Sequence, residues 1–375
     1  GYRGEIFSTQ ATKDFTEQLL LDSEFLINRE LANKGFPLLY DINDINETMR
    51  LWKKKSYHEK FNIGDFEIEF FDAGHILGSA FILISNNGKS IVFSGDLGNM
   101  PAPLVKDTET LPQTDYAVIE STYATKIHDP AAKRKDILED LIEDTVRAGG
   151  TLMIPAFAME RTQELLFELD ELVENGRIPP VPIFVDSPLA IKLTAIYKKY
   201  SQDPAYFDAE ALSMMRKGDA LFDFPRLTLT LTTEQSKSIN EVKPPKVVIA
   251  GSGMSNGGRI LHHEQRHLPD PKSTILFIGY QGKGTLGRLI QDGAKTVKIF
   301  GEEVPVRCKI KSISGYSAHP DQPLLMKWLE SAKTSLKKVF IVHGDEDRMV
   351  PFQRIIQDEM AVQAIVPKIG QEFDL

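Results

Sequence analysis

FILISNNGKSIVFSGDLGN, residues 81–99, reads as a strand, a tight turn, a second strand and a strand-end acid. The runs FILIS (81–85) and SIVF (90–93) are apolar and β-branched, and Asn87-Gly88 between them is the dipeptide that supplies the two positive-φ positions of a hairpin. The second run ends in SGDLGN, which places Asp96 between Gly95 and Gly98, where a backbone turn can aim a carboxylate outward. Taken alone, such an acid is more often an Asx-type turn residue. Outward from the hairpin, FEIEFFDA (66–73) and YAVIEST (116–122) read as further strands, so a meandering, largely antiparallel sheet is expected. Ahead of it the pattern gives a strand over 5–8, a helix over 12–33 with Thr12 as its N-cap, and a short helix ending within 51–57.

Three more strand ends share the design of SGDLGN. AGHILGSA (73–80) carries His75 ahead of small residues, YSAHPD (316–321) carries His319, and VHGDED (342–347) carries His343. A lone histidine at such a place is more often a satisfied structural residue. Several strand-end segments of this kind in one chain favour a shared cation, since imidazole and carboxylate from distant stretches can converge on a divalent metal such as zinc. The chemistry implied is metal-assisted hydrolysis, in which the cation polarises a phosphoryl or carbonyl oxygen and acidifies water. Glu120, closing YAVIEST, reads either as a turn or cap residue or as a carboxylate that orients His319. An imidazole so held can protonate a leaving oxygen or grip a phosphate.

After about residue 126 the rhythm changes to strand–helix alternation. Helices are expected over 137–148 and 161–175, the latter stopped by Gly176, and further helices through about residue 217. TLMIPAF (151–157), PIFVDSP (182–188), KVVIAGSG (246–253), TILFIGYQ (274–281) and TVKIFG (296–301) read as strands of a parallel sheet. VRCKIKSISGYSAH (306–319) and KKVFIVHGDE (337–346) flank a helix at 322–331 in the style of the opening sheet. The chain therefore returns to its first domain, and the middle is an insertion. The expected division is 1–124, 125–314 and 315–375.

The insertion holds two glycine-rich turns, GSGMSNGGRILHH (251–263) and GYQGKGTLGR (279–288). Small residues after a strand let backbone N–H groups approach an anion, and the following helix N-terminus favours negative charge. Ser252, Gly253, Gly258, Arg259, Lys283 and Arg288 are the candidate phosphate contacts, with Arg161 of PAFAMERTQE added; His262, His263, Arg266 and His267 extend the basic character. No aromatic interleaving suggests base stacking.

A net charge of −9 argues against nucleic-acid binding through a global positive field, though not against a local groove. The single Cys308 excludes an internal disulfide and fits a reducing, cytoplasmic setting. No apolar run approaches a membrane span and no signal peptide is visible. A serine-hydrolase alternative starts from Gly253-Met254-Ser255-Asn256-Gly257, which fits G-x-S-x-G, with Asp347 as acid. That triad needs a histidine after the acid, and His343 is the last in the chain.

Together, IESTY, PAFAMERTQE, GSGMSNGGRILHH, GYQGKGTLGR, IFGEEVPVR, YSAHPDQ and VHGDED stand in the order found in the β-CASP nucleases of the metallo-β-lactamase superfamily, which the chain resembles over nearly its whole length. The resemblance implies an α/β fold, a metallo-β-lactamase αββα sandwich lacking its N-terminal part, interrupted by an inserted β-CASP α/β domain. It implies that His75 is a zinc ligand, Asp96 a carboxylate bridging two zinc ions, and His343 a ligand of the second. It implies that Glu120 pairs with His319, which contacts the scissile phosphate. Single-stranded RNA is the implied substrate, and a homodimer one assembly open to an exposed sheet edge. The family's H-x-H-x-D-H motif does not occur here, the chain starts at Gly1 without Met, and we expect a fragment with weak, partial zinc occupancy and no activity as it stands. The alternatives are a non-catalytic RNA-binding or assembly module that kept the fold and lost its metals, and a hydrolase of small thioesters or lactams.

Overall fold

The computed structural model describes residues 1–207, 212 and 222–375, with backbone alone at residues 131 and 132. The chain divides into two compact units. One comprises Gly1–His128, Asp203–Asp208 and Ala318–Leu375, and the other Asp129–Gln202 and Ala209–Ser317. The first unit thus contains both ends of the chain, and the second interrupts it in sequence.

The first unit is built on a seven-stranded mixed sheet. Its spatial order is Gln363–Ile365, Lys338–Ile341, Tyr116–Ile119, Lys89–Phe93, Ala80–Asn86, Phe66–Asp72 and Phe61–Ile63. The four strands from Phe61 to Phe93 pair antiparallel. The 87–88 turn has the expected form, with φ of 49° at Asn87 and 74° at Gly88, and Asn86 faces Lys89. From Lys89–Phe93 outward to Tyr116–Ile119, Lys338–Ile341 and Gln363–Ile365 the pairing is parallel. Parallel neighbours point their C-terminal ends the same way, so residues just past 93, 119 and 341 emerge along one edge.

That edge is fixed from behind. Phe81, Val92, Ala117, Ile119, Val339 and Ile341 pack with Leu325, Trp328, Leu329, Phe352 and Ile356 of the helices Gln322–Glu330 and Glu346–Met360. Phe81 meets the Trp328 ring edge-on at 5.4 Å. At about 1.5–3 kcal/mol for each fully buried large side chain, this layer gives the strand ends a rigid base.

The second unit carries a six-stranded, all-parallel sheet in the order Leu227–Leu229, Ile183–Asp186, Lys246–Ala250, Thr151–Pro155, Thr274–Phe277 and Lys309–Ser312. Its central strands are buried at every residue, which is why they read as unbroken apolar runs rather than alternations. Among the described residues no helix is long and apolar enough to cross a membrane.

Several expectations fail locally, each for a physical reason. Trp52–Lys54 is not helical. It pairs parallel with Ile6–Ser8, and the Trp52 indole donates to Ser8 Oγ at 2.6 Å. The helix before it is Ile42–Arg50, started by a capping box between Asp41 and Asp44. Thr9 rather than Thr12 caps the first helix, Gln10–Asn33. Its hydroxyl accepts from Thr12 N and donates to Gly78 O at 2.7 Å, a distant partner invisible to local pattern. Thr296–Ile299 leaves the parallel sheet and forms an antiparallel hairpin with Glu302–Pro305, because Phe300 and Gly301 both take positive φ and turn the chain tightly. Lys309–Ser312, expected to resemble the opening sheet, pairs instead with Thr274–Phe277 in the second unit. The helices expected through residue 217 fall partly outside the described residues.

Candidate active site

Four loops leave the edge of the seven-stranded sheet, after residues 72, 93, 119 and 341, and glycines let them touch in pairs. Gly98 N donates to Ala73 O at 2.8 Å, and a Cβ at Gly98 would stand 2.0 Å from Gly74 O. Only glycine permits that approach, which brings the loop of His75 against the loop of Asp96. A Cβ at Gly344 would stand 2.3 Å from Ser121 Oγ, so the loop of His343 lies just as close to the residue following Glu120. Ser121 N donates to His343 O at 3.2 Å, and His343 itself takes φ 53°.

The carboxylate of Asp96 lies between two imidazoles. Its Oδ2 is 3.8 Å from His75 Nε2, and its Oδ1 is 3.3 Å from His343 Nε2. His75 Nδ1–H donates to Leu97 O at 3.0 Å, which fixes the ring and leaves Nε2 as the lone-pair nitrogen facing Asp96. One ligand atom each from His75, Asp96 and His319 all lie within 4.8 Å of one another. The rings of His75 and His319 are 4.6 Å apart, and those of His319 and His343 are 6.0 Å apart. All five residues singled out from the strand ends therefore meet. The grouping differs in one respect from the expectation: His319 joins the tight set with His75 and Asp96, while His343 reaches the other oxygen of Asp96 and is more than half exposed.

Glu120 is fully buried and holds the centre together. His319 Nδ1–H donates to both of its oxygens, at 3.0 and 3.1 Å, and Leu97 N donates to Oε1 at 2.7 Å. Burial pushes this carboxyl upward, but the hydrogen bond and charge of His319, with the Thr122 hydroxyl and Leu97 N–H, outweigh it and hold Glu120 below its ordinary range. An ionised carboxylate fixes the tautomer of His319 and leaves its Nε2 outward. Ser94 adds a further tie, accepting from Glu120 N at 3.1 Å.

The glycine-rich turns of the second unit also come together. Gln281 donates to Gly253 O at 2.8 Å, Gly287 N donates to Met254 O at 3.0 Å, and Leu286 N donates to Asn256 Oδ1 at 3.1 Å. Ser252 Oγ accepts from Asn256 N at 3.0 Å, and Gly258 sits against the carbonyl of Gly251 at φ 76°. These turns follow the C-terminal ends of parallel strands, where open α/β sheets bind ligands. Lys283 is exposed there, and Arg288 makes a two-bond contact to Asp292.

Other expected cations are not on that surface. Arg161 is 5% exposed, and its guanidinium goes to the Glu164 carboxylate and to Tyr316 O. An arginine that deep persists only when paired. Arg259 donates to Asp186 at 2.8 Å and to the carbonyls of Thr230 and Leu231, which ties it to a strand end. His263 is buried against the same carboxylate at 2.8 Å. Burial opposes ionisation of Asp186, yet His263, Thr230, Ser236 and Arg259 together hold it well below the usual carboxylate range. His267 is driven down to about 4 by burial, aided by the charge of Lys246, and so is neutral near pH 7. Ser255, the would-be elbow nucleophile, is buried against Glu264, whose carboxyl is pushed up to about 8 by burial despite that hydroxyl.

Sequence reading missed several groups around the centre: Ser94, Thr122, Tyr123, His128 and Arg348. Nothing in IHDP (127–130) marks His128, which acquires meaning only from what lies opposite it in the fold.

A mixed sheet with imidazoles and a carboxylate at its strand ends, interrupted in sequence by a parallel α/β unit, defines a class of metallo-hydrolase. Residues 162–290 match the Beta-Casp domain, and residues 303–367 match the Zn-dependent metallo-hydrolase RNA specificity domain. The chain belongs to the β-CASP nucleases of the metallo-β-lactamase superfamily. It is 34% identical to Ribonuclease TTHA0252 of Thermus thermophilus over 95% of this chain and 79% of that protein. It is 31% identical to the RNase J-like protein of Methanocaldococcus jannaschii over 88% of this chain and 76% of that one. Transcription termination factor FttA of Methanosarcina mazei is 29% identical over 97% of this chain, which spans 58% of that longer relative.

Proposed function

We propose that this chain carries the metal centre of a ribonuclease that hydrolyses phosphodiester bonds in single-stranded RNA, with two zinc ions at Asp96. One observation carries the reading: a single carboxylate offers one oxygen toward His75 and the other toward His343. The donor set fits a cation. His75 is oriented by Leu97 O so that Nε2 is its ligand atom, and Asp96 is half exposed with an imidazole nitrogen facing each of its oxygens. His75 would hold a cation on one side of Asp96, and His343 on the other. The donors are few for each, which favours weak and exchangeable occupancy. When bound, the metal polarises a phosphoryl oxygen and acidifies water.

The remaining chemistry belongs to the chain. Glu120 fixes His319 in the Nδ1–H form, and the outward Nε2 exchanges a proton with the leaving oxygen or contacts the scissile phosphate. Lys283 and the backbone of the paired glycine turns, at Ser252, Gly253 and Gly258, supply contacts to phosphates away from the reacting bond. We assign residues 1–124 and 315–375 to the lactamase-type part and 125–314 to the inserted β-CASP part, a reading supported by the chain crossing between units at 128–129 and 317–318. Relatives named as a ribonuclease and an RNase J-like protein support RNA as the substrate class.

The test is metal content together with cleavage of a labelled single-stranded RNA by the intact protein and by His75→Ala, Asp96→Ala and His343→Ala. The reading expects metal and turnover to fall together in all three. Cleavage that survives both His75→Ala and Asp96→Ala would refute it. Stoichiometric RNA binding with neither metal nor turnover would favour the non-catalytic module.

A further inference from the structure

We propose that His128 is a positioning residue for His319, acting through the main chain while Glu120 acts through the ring. The proposal rests on the role just given to His319.

His319 is followed by Pro320, which has no N–H. The peptide unit between them therefore has one polar handle, the carbonyl of His319. His128 Nε2 lies 3.1 Å from that oxygen. A carbonyl only accepts, so the ring must carry its proton on Nε2. The main chain of His128 is tied to the same segment, since its N–H donates to Asp321 Oδ2 at 3.1 Å while Oδ1 of that carboxylate caps the helix Gln322–Glu330. Gln322 N donates to Lys126 O at 3.0 Å, and Tyr123 bridges Asp321. Residues 120–128, leaving the strand Tyr116–Ile119, thus hold His319 at both ends: Glu120 takes its imidazole and His128 its carbonyl.

The ring of His128 is itself backed. It meets Tyr123 edge-on at 4.6 Å, and the guanidinium of Arg348 covers the Tyr123 ring at 5.6 Å while donating to Thr122 O. Arg348 lies in the first turns of the helix that begins three residues after His343. The stack Arg348–Tyr123–His128 consequently links the His343 loop to the His319 peptide and sets the spacing of two of the three imidazoles of the centre. Because catalytic rates respond steeply to misplacement, loosening the 319–320 peptide should act on turnover before it acts on binding.

The experiment compares His128→Leu with His128→Gln in the intact, metal-loaded protein, with His319→Ala as control. Leu fills the space without a donor, whereas the Gln amide places an N–H near the position of Nε2. We expect His128→Leu to lower kcat about 10- to 100-fold with KM within about twofold, and His128→Gln to restore most of it. An unchanged kcat, a rise in KM alone, or equal losses in both variants would overturn the proposal. If His128→Leu fails to fold, the native protein decides. Long-range ¹H–¹⁵N spectra must show His128 protonated at Nε2, and a neutral ring protonated only at Nδ1 would overturn the proposal without any mutation. Intact cleavage in His319→Ala would sink the role of that ring and this proposal with it. Intact cleavage in His128→Leu beside a dead His319→Ala would sink the proposal alone.

Discussion

Two clusters in this molecule are built from the same residue types at the ends of parallel strands, and they have opposite chemistry. Around Asp96, in the first unit, two imidazoles face the two carboxylate oxygens from 3.3 and 3.8 Å, and the acid is half exposed. Around Asp186, in the second, His263, Arg259, Thr230 and Ser236 all donate to a carboxylate with no exposure at all. The first arrangement leaves oxygen lone pairs for something else to take. The second uses them up, and its histidine serves as a donor that locks a strand end to a helix. Residue type and strand-end position therefore do not mark a reactive centre; open acceptor capacity does.

The comparison can be broken from either side. The largest effect is expected at the open site: Asp96→Asn should lower RNA cleavage about 10³-fold and reduce bound metal, since it weakens the one carboxylate shared by His75 and His343. Metal analysis and single-turnover cleavage check it, and retained metal would show that Asp96 is not the carboxylate that holds the cation. At the closed site the loss should appear in stability instead. Asp186→Ala leaves Arg259 and His263 without their acceptor, and denaturant unfolding should show a loss of about 3 kcal/mol with metal content unchanged. Next comes Glu120→Gln. The amide still accepts one hydrogen bond but removes the charge behind His319, so kcat should fall about 10²-fold while metal is retained.

A smaller effect sharpens the closed side through pH. His267 is depressed to about 4 from its usual 6.5, so its contribution is present above 6.5 and is lost as pH falls toward 4. Glu264 is raised to about 8 from 4.5, so its contribution is present below 4.5 and is lost as pH rises toward 8. Between 4.5 and 6.5 the two slopes offset. Asp72, raised to about 7 by burial, adds a declining slope of its own up to that pH, and above 7 the Glu264 slope remains, at up to about 1.4 kcal/mol per pH unit. Denaturant midpoints measured from pH 7 to 8 should decline in the parent protein and flatten in Glu264→Gln. An equal decline in both would remove Glu264 as the cause.

The sequence made the open site legible because each of its members follows a strand that local pattern identifies: His75, Asp96, Glu120 and His343 all stand within a few residues of an apolar run. Their convergence followed from family motif order rather than from spacing. What stayed hidden depended on long-range partners. Thr9 caps its helix because Gly78 O lies opposite, and Trp52–Lys54 is a strand because Ile6–Ser8 runs beside it. His263 and His267 looked like surface cations because helical periodicity says nothing of which face the sheet covers. Arg161 looked like a phosphate contact because the Glu164 and Tyr316 that claim it are visible only in three dimensions.

The most direct test is zinc-edge anomalous diffraction from crystals of the intact protein grown with zinc. The account expects anomalous density within about 2.0–2.2 Å of the Asp96 carboxylate and of His75 Nε2, with none at Asp186 and His263. Zinc bound elsewhere in a protein that still cleaves RNA, or an empty Asp96 in the same active crystals, would contradict it.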